Sequence, residues 1–122
     1  MAPRYLYKIC DAAPPDPLPV TLSPTELDTA DGFIHLSTAA QVPVTAKLFF
    51  NDNGKLWVLK LDSQALDGVL DFSTDPKAGV KDGCAHLHYS RKGLGLENVV
   101  EVIVVERIGA ETWTDVEDMG RL

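Results

Sequence analysis

The sequence predicts an α+β fold in a single domain. Three observations carry that reading. The elements run strand, helix, strand, helix and then mostly strands. At 122 residues the chain is long enough for one core without metal or disulfide staples. Its make-up, 45% hydrophobic and 24% charged, is that of an ordinary globular domain. The order of elements argues for a mixed or antiparallel sheet with short helices, spanning residues 1–122 as one unit.

Each element follows from local chemistry. Tyr5 to Ile9 is rich in aromatic and β-branched residues and forms the first strand. Pro14, Pro15, Pro17 and Pro19 then remove too many backbone donors for any regular element, so a long loop follows. Ser23-Pro24-Thr25-Glu26 has the chemistry of a helix start, with Ser23 as cap and proline at the first helical position. Asp31-Gly32 stops this helix within about two turns. Phe33 to Ser37 is a strand, and Thr38-Ala39-Ala40-Gln41 is a second capping pattern leading into a helix. Val42, Ala46, Phe49 and Phe50 fall at helical spacing and would face the core. Pro43 comes later than the ideal first position, so either the first turn is distorted or the helix starts nearer Gln41.

Asn51-Asp52-Asn53-Gly54 is turn chemistry, and Leu56 to Leu61 is a strand. A helical turn over Ser63 to Leu66, closed by Gly68, leads to a weaker strand from Val69 to Phe72. Ser73 to Gly83 is a surface loop, and His86 to Tyr89 a short extended run. Val99 to Val105 is the most apolar strand, which places it at the centre of the sheet. The acidic end, Glu111 to Leu122, carries Trp113, expected to dock on the body while the last residues fray.

Charge and cysteine content narrow the function. Eighteen acids against eleven bases give a net charge of −7. That balance disfavours gripping DNA or RNA by charge, and equally an anionic membrane surface. No apolar run approaches the ~18 residues of a transmembrane helix. Met1-Ala2-Pro3-Arg4 lacks a secretory pattern, and Cys10 and Cys84 lack metal-ligand spacing. Reduced thiols in the cytoplasm are the expectation.

All three histidines, His35, His86 and His88, lie in two short extended runs. In a strand Phe33, His35 and Ser37 share one face while Ile34 and Leu36 share the other, and His86 and His88 likewise share a face. Three readings compete. Three imidazoles can bind zinc or iron, although no signature or acidic ligand stands at a typical offset. They can instead hold a ligand by hydrogen bonds, with hydroxyls from Ser37, Thr38 and Tyr89. The strand-to-helix passage at Ser37-Thr38 would offer amides to an anion, and Arg91 and Lys92 local positive charge. Or each histidine is a core residue bonded to the backbone. Cys84 and Glu101 are weaker candidates, better read as a small buried residue and an edge or paired charge. A P-loop, a dinucleotide fingerprint and a nucleophile elbow are absent.

Asp31-Gly32-Phe33-Ile34-His35-Leu36-Ser37-Thr38, with Gln41-Val42 and Phe49-Phe50, resembles the signature of domain-of-unknown-function family 952. Cys84-Ala85-His86-Leu87-His88 stands where that family carries a Phe-Pro-His-Leu-Tyr-Gly segment, and the resemblance spans roughly residues 5–108. Here His88 replaces the family tyrosine. The family looks related to the ADP-ribosyltransferase superfamily, which includes the RNA 2′-phosphotransferases. The resemblance therefore implies a split sheet with NAD, or a related nucleotide, in its cleft. His35 would hold the nicotinamide ribose and His86 would line the same cleft, with Tyr89 as a substitute stacking platform. Transferases of that superfamily commonly use a late glutamate; near the expected place this chain offers only Asp71. His35, His86 and His88 are thus the catalytic candidates, and Ser37, Thr38, Tyr89 and Arg91 the ligand-binding ones. A small-molecule nucleotide is the expected partner. The alternative is a non-catalytic or metal-binding domain with structural histidines.

Overall fold

The computed structural model describes residues 3–72, 85–107, 112–116, 119 and 122. Among the described residues, six strands make up two separate three-stranded sheets. The first has the order β1-β3-β6, built from β1 (Tyr5–Cys10), β3 (Lys55–Asp62) and β6 (Val99–Glu106). The second has the order β2-β5-β4, built from β2 (Ile34–Leu36), β5 (Ala85–His88) and β4 (Val69–Asp71). An isolated antiparallel bridge between Tyr7 and Ser37 joins their edges. Every ladder is antiparallel, so the sheets are not mixed.

Two short helices complete the described frame. Helix α1 (Glu26–Asp31) is capped by Thr25, whose hydroxyl accepts the Asp28 N–H at 3.1 Å, and ends at Gly32 with φ 78°. The start is thus two residues later than Ser23: Thr25 and Asp28 stand at the spacing that lets a hydroxyl reach an orphan amide. Helix α2 (Gln41–Phe49) begins at the residue that Pro43 dictates. Proline then lies in the first turn, where its missing donor has no intrahelical acceptor to lose. No described helix is long and apolar enough to cross a membrane.

The first sheet packs against a core on each face. Leu56 and Val58 point to one side, where Tyr7, Ile9, Val42, Ala46, Val105, Trp113 and Met119 pack around them. Leu59 and Leu61 point to the other, against Leu6, Leu36, Ala85, Leu87 and Leu94. Strand alternation therefore feeds two cores, one under α2 and one between the sheets. Trp113 docks as expected: it is fully buried, and its Nε1 donates to the Phe50 carbonyl at 2.9 Å. Met119 is buried in the same core, and Leu122 packs against it. The placement of β6 corrects the sequence reading. It lies at an edge, with Val100, Val102 and Val104 exposed, while β3 holds the centre. Apolar content alone could not separate them. The central strand is the one whose residues are inward on both faces. The segment Ser73 to Gly83, read as a loop, and Cys84 lie outside the described residues.

Candidate functional site

The two histidine-bearing runs come together. Strands β2 and β5 pair with His35 directly opposite His86, and Asp71 of β4 stands opposite His86 on its other side. Cross-strand partners share a face, so one row of this sheet reads His35, His86, Asp71, with His88 in the next row. Phe33 sits at the centre. Its ring centroid lies 4.7 Å from that of His35, 4.6 Å from His86 and 4.8 Å from His88, the separation of packed aromatic rings. The opposite face of the same strands, Leu36, Ala85 and Leu87, is core. Among the described residues, no three His, Cys, Asp or Glu side chains come together so as to hold a metal ion.

His35 is tied to α1. Its Nδ1 lies 2.6 Å from Asp28 Oδ1, its Nε2 2.9 Å from Asp31 Oδ2, and its backbone N–H donates to Asp28 at 3.2 Å. A carboxylate only accepts, so both ring contacts are hydrogen bonds together when both nitrogens carry hydrogen. Asp28 also accepts from Lys8 Nζ at 2.6 Å, and the same ammonium donates to the His35 carbonyl at 3.1 Å. The side chains of Lys8 and Asp28 are only 9% and 4% exposed. Burial alone would raise the Asp28 carboxyl. The hydrogen bond from His35 and the charge of Lys8 outweigh it and hold the group below its ordinary range.

A cleft of about 530 Å³ enters the gap between the sheets. Lys8, Cys10 and Leu59 line it from the first sheet, Ile34 and Leu87 from the second. Its rim comes from the end of the proline loop, from Thr21 to Thr25, and from the segment Tyr89–Leu94. These two rims are stitched together: Leu22 N–H donates to the Leu94 carbonyl at 2.7 Å and Leu96 N–H to the Pro19 carbonyl at 2.9 Å. Asp67 fastens the second rim by accepting from Ser90 Oγ and from the Arg91 N–H. Those bonds, Ser90 first, hold its carboxyl below the ordinary range.

The sequence-derived candidates thus divide. Tyr89 and Arg91 line the cleft; Tyr89 is 85% exposed and has φ 60°, a conformation uncommon for a non-glycine residue. His35, His86 and His88 lie on the outer face of the second sheet and touch the cleft through Phe33, which belongs to both. Ser37 and Thr38 are elsewhere. The amides expected to meet an anion are spent internally, Ser37 N–H on the Tyr7 carbonyl and Thr38 N–H on Gln41 Oε1. The capping pattern that brought them to notice is what consumes the Thr38 amide. Sequence reasoning passed over Lys8, Asp28 and Asp67. For Lys8 a signal existed: a charge inside an apolar strand, on the face it shares with Leu6 and Cys10.

Comparison with known proteins supports the fold. Two crystal structures of protein CC0527 from Caulobacter crescentus, one of them of a double mutant, are similar with a TM-score of 0.68. They are 23% and 22% identical to this chain, and each match covers 88% of this chain and 91% of the other. No curated protein matches. The family model described as "Protein of unknown function (DUF952)" matches residues 18–102. That span holds the Gly32–Thr38 signature, the paired histidines and both rims of the cleft, and the chain belongs to this family.

Proposed function

We propose that the cleft between the two sheets binds an anionic nucleotide of the NAD or ADP-ribose type in the cytoplasm, as in ADP-ribosyltransferase-like split-sheet domains. One observation carries the reading. The charged side chains lining the cleft among the described residues are Lys8, Asp28 and Arg91, and Asp28 is held by contacts with Lys8 and His35. Among the described lining residues two cations stand against one carboxylate, in a chain whose net charge is −7. Arg91 at the rim suits a pyrophosphate, and the exposed Tyr89 ring offers a face for a base or nicotinamide to stack on. His35 acts through Asp28 rather than by touching the ligand, because both of its ring nitrogens meet carboxylates. His86 and His88 support Phe33 at the cleft edge.

Calorimetric titration with NAD and ADP-ribose tests this directly. Saturable binding that Arg91→Ala weakens is the expected result; absence of heat with both nucleotides refutes it. Nicotinamide release in the same samples asks whether binding extends to transfer. In that reaction the bond between nicotinamide and the ribosyl carbon breaks, nicotinamide leaves with the bonding pair, and an acceptor nucleophile takes its place.

A further inference from the structure

The Lys8 ammonium is nine-tenths buried, lines the cleft and carries three N–H donors. Two are accounted for, by Asp28 Oδ2 at 2.6 Å and by the His35 carbonyl at 3.1 Å. The third has no protein acceptor among the described residues. A buried donor without an acceptor is costly, by about as much as a lost hydrogen bond. In a cleft open to solvent, water or a ligand oxygen takes that place.

We infer that Lys8 is the deep anchor of the cleft, donating its third N–H to an oxyanion of the ligand's diphosphate. The inference rests on the nucleotide-binding reading above and adds which group reaches the floor. Two features favour an oxyanion over a neutral oxygen. Among the described residues, Lys8 is one of two cationic side chains that line the cleft, and the one carboxylate lining it is shared between Lys8 and His35. The arrangement also gives Asp28 and His35 a defined part. Asp28 holds the Lys8 ammonium in place and tempers its charge, and His35 holds Asp28, so both are positioning residues. Ligand then completes the coordination of an ammonium that the fold has already desolvated and oriented, and little further ordering is needed on binding.

Three probes separate this from its alternatives: ADP-ribose, inorganic pyrophosphate and adenosine, titrated calorimetrically into the full chain. Wild type is expected to bind ADP-ribose and, more weakly, pyrophosphate. Lys8→Met should lose at least about tenfold in affinity for both phosphorylated probes, one charge-assisted hydrogen bond at the low end of its range, while any adenosine affinity stays unchanged. Asp28→Asn, which leaves an acceptor but removes the negative charge, should move the other way and tighten pyrophosphate. A purely structural Lys8 would not produce that opposite shift. Should a variant not fold, the wild-type protein labelled with ¹⁵N-lysine gives the same answer. The Lys8 Nζ resonance is expected to shift on adding pyrophosphate, and an unmoved resonance at saturation overturns the inference. Binding of ADP-ribose with equal affinity in a folded Lys8→Met variant also overturns it and leaves the nucleotide reading intact. Wild type that binds neither phosphorylated probe overturns both.

Discussion

Replacing Asp28 with alanine should cost this small domain a large share of its stability. The substitution removes the acceptor for three donors at once: Lys8 Nζ at 2.6 Å, His35 Nδ1 at 2.6 Å and the His35 backbone N–H at 3.2 Å. The N-cap survives, because Thr25 receives the backbone amide of residue 28. What remains is a buried ammonium with one protein partner, the His35 carbonyl. Removing one member of a buried ion pair typically costs about 3–5 kcal/mol. At 4% and 9% exposure neither side chain calls for a solvent discount. Set against a total stability of roughly 5–15 kcal/mol, that is a severe loss. At roughly 4 °C per kcal/mol for a domain of this size it corresponds to a fall of about 12–20 °C in Tm. Urea unfolding of both proteins, with equal m-values, is the assay. Adding Lys8→Met to the Asp28→Ala background should recover part of the loss, since the stranded charge then disappears. The pH dependence has a fixed sign. Native Asp28 lies below the ordinary carboxylate range, so its contribution is fully present above about pH 4 and is lost as pH falls through the native value. A loss of under about 1 kcal/mol at neutral pH, set against the range expected for a buried pair, refutes the reasoning, as does a difference that grows on acidification.

Three further outcomes follow from the frame around the cleft. Leu87→Ala truncates a side chain 2% exposed in the core between the sheets and should cost about 2–5 kcal/mol by denaturant unfolding. Gly95→Ala would set a Cβ 2.0 Å from the Val20 carbonyl oxygen, so the two rims must part; faster amide exchange at Leu22 and Leu96 is the expected sign. Asp67→Asn weakens the acceptor of the Ser90 hydroxyl and the Arg91 amide. It should raise exchange at Arg91 and Lys92 at neutral pH, and in wild type the same loosening should set in only as pH falls below about 4.

Much of the architecture was legible because local chemistry and tertiary packing agree. The strand from Tyr5, the stop at Asp31-Gly32 and the helix from Gln41 are each written in alternation, glycine and capping residues, and each formed. The meeting of His35 with His86 was suggested by their clustering in two extended runs, and the register placed them opposite one another. The position of β6 was not legible. Its valines satisfy strand propensity at an edge as well as at a centre, and only the pairing of β3 with both neighbours decides which is which. The cleft was half legible. Tyr89 and Arg91 follow the second histidine run and were in view, but the contact of Lys8 with Asp28 joins residues far apart in sequence, and no local pattern encodes that distance. Ser37 and Thr38 lie away from the cleft for a physical reason: hydroxyl residues at a strand-to-helix passage serve capping and an edge bridge as readily as a ligand.

A crystal structure of the protein grown with ADP-ribose tests the proposed nucleotide site at the atomic level. Ligand density is expected in the gap between the two sheets, with the diphosphate between Lys8 and Arg91 and an aromatic ring against Tyr89. Density instead on the outer face over Phe33, His86 and His88, or a cleft holding only solvent at saturating ADP-ribose, would contradict it.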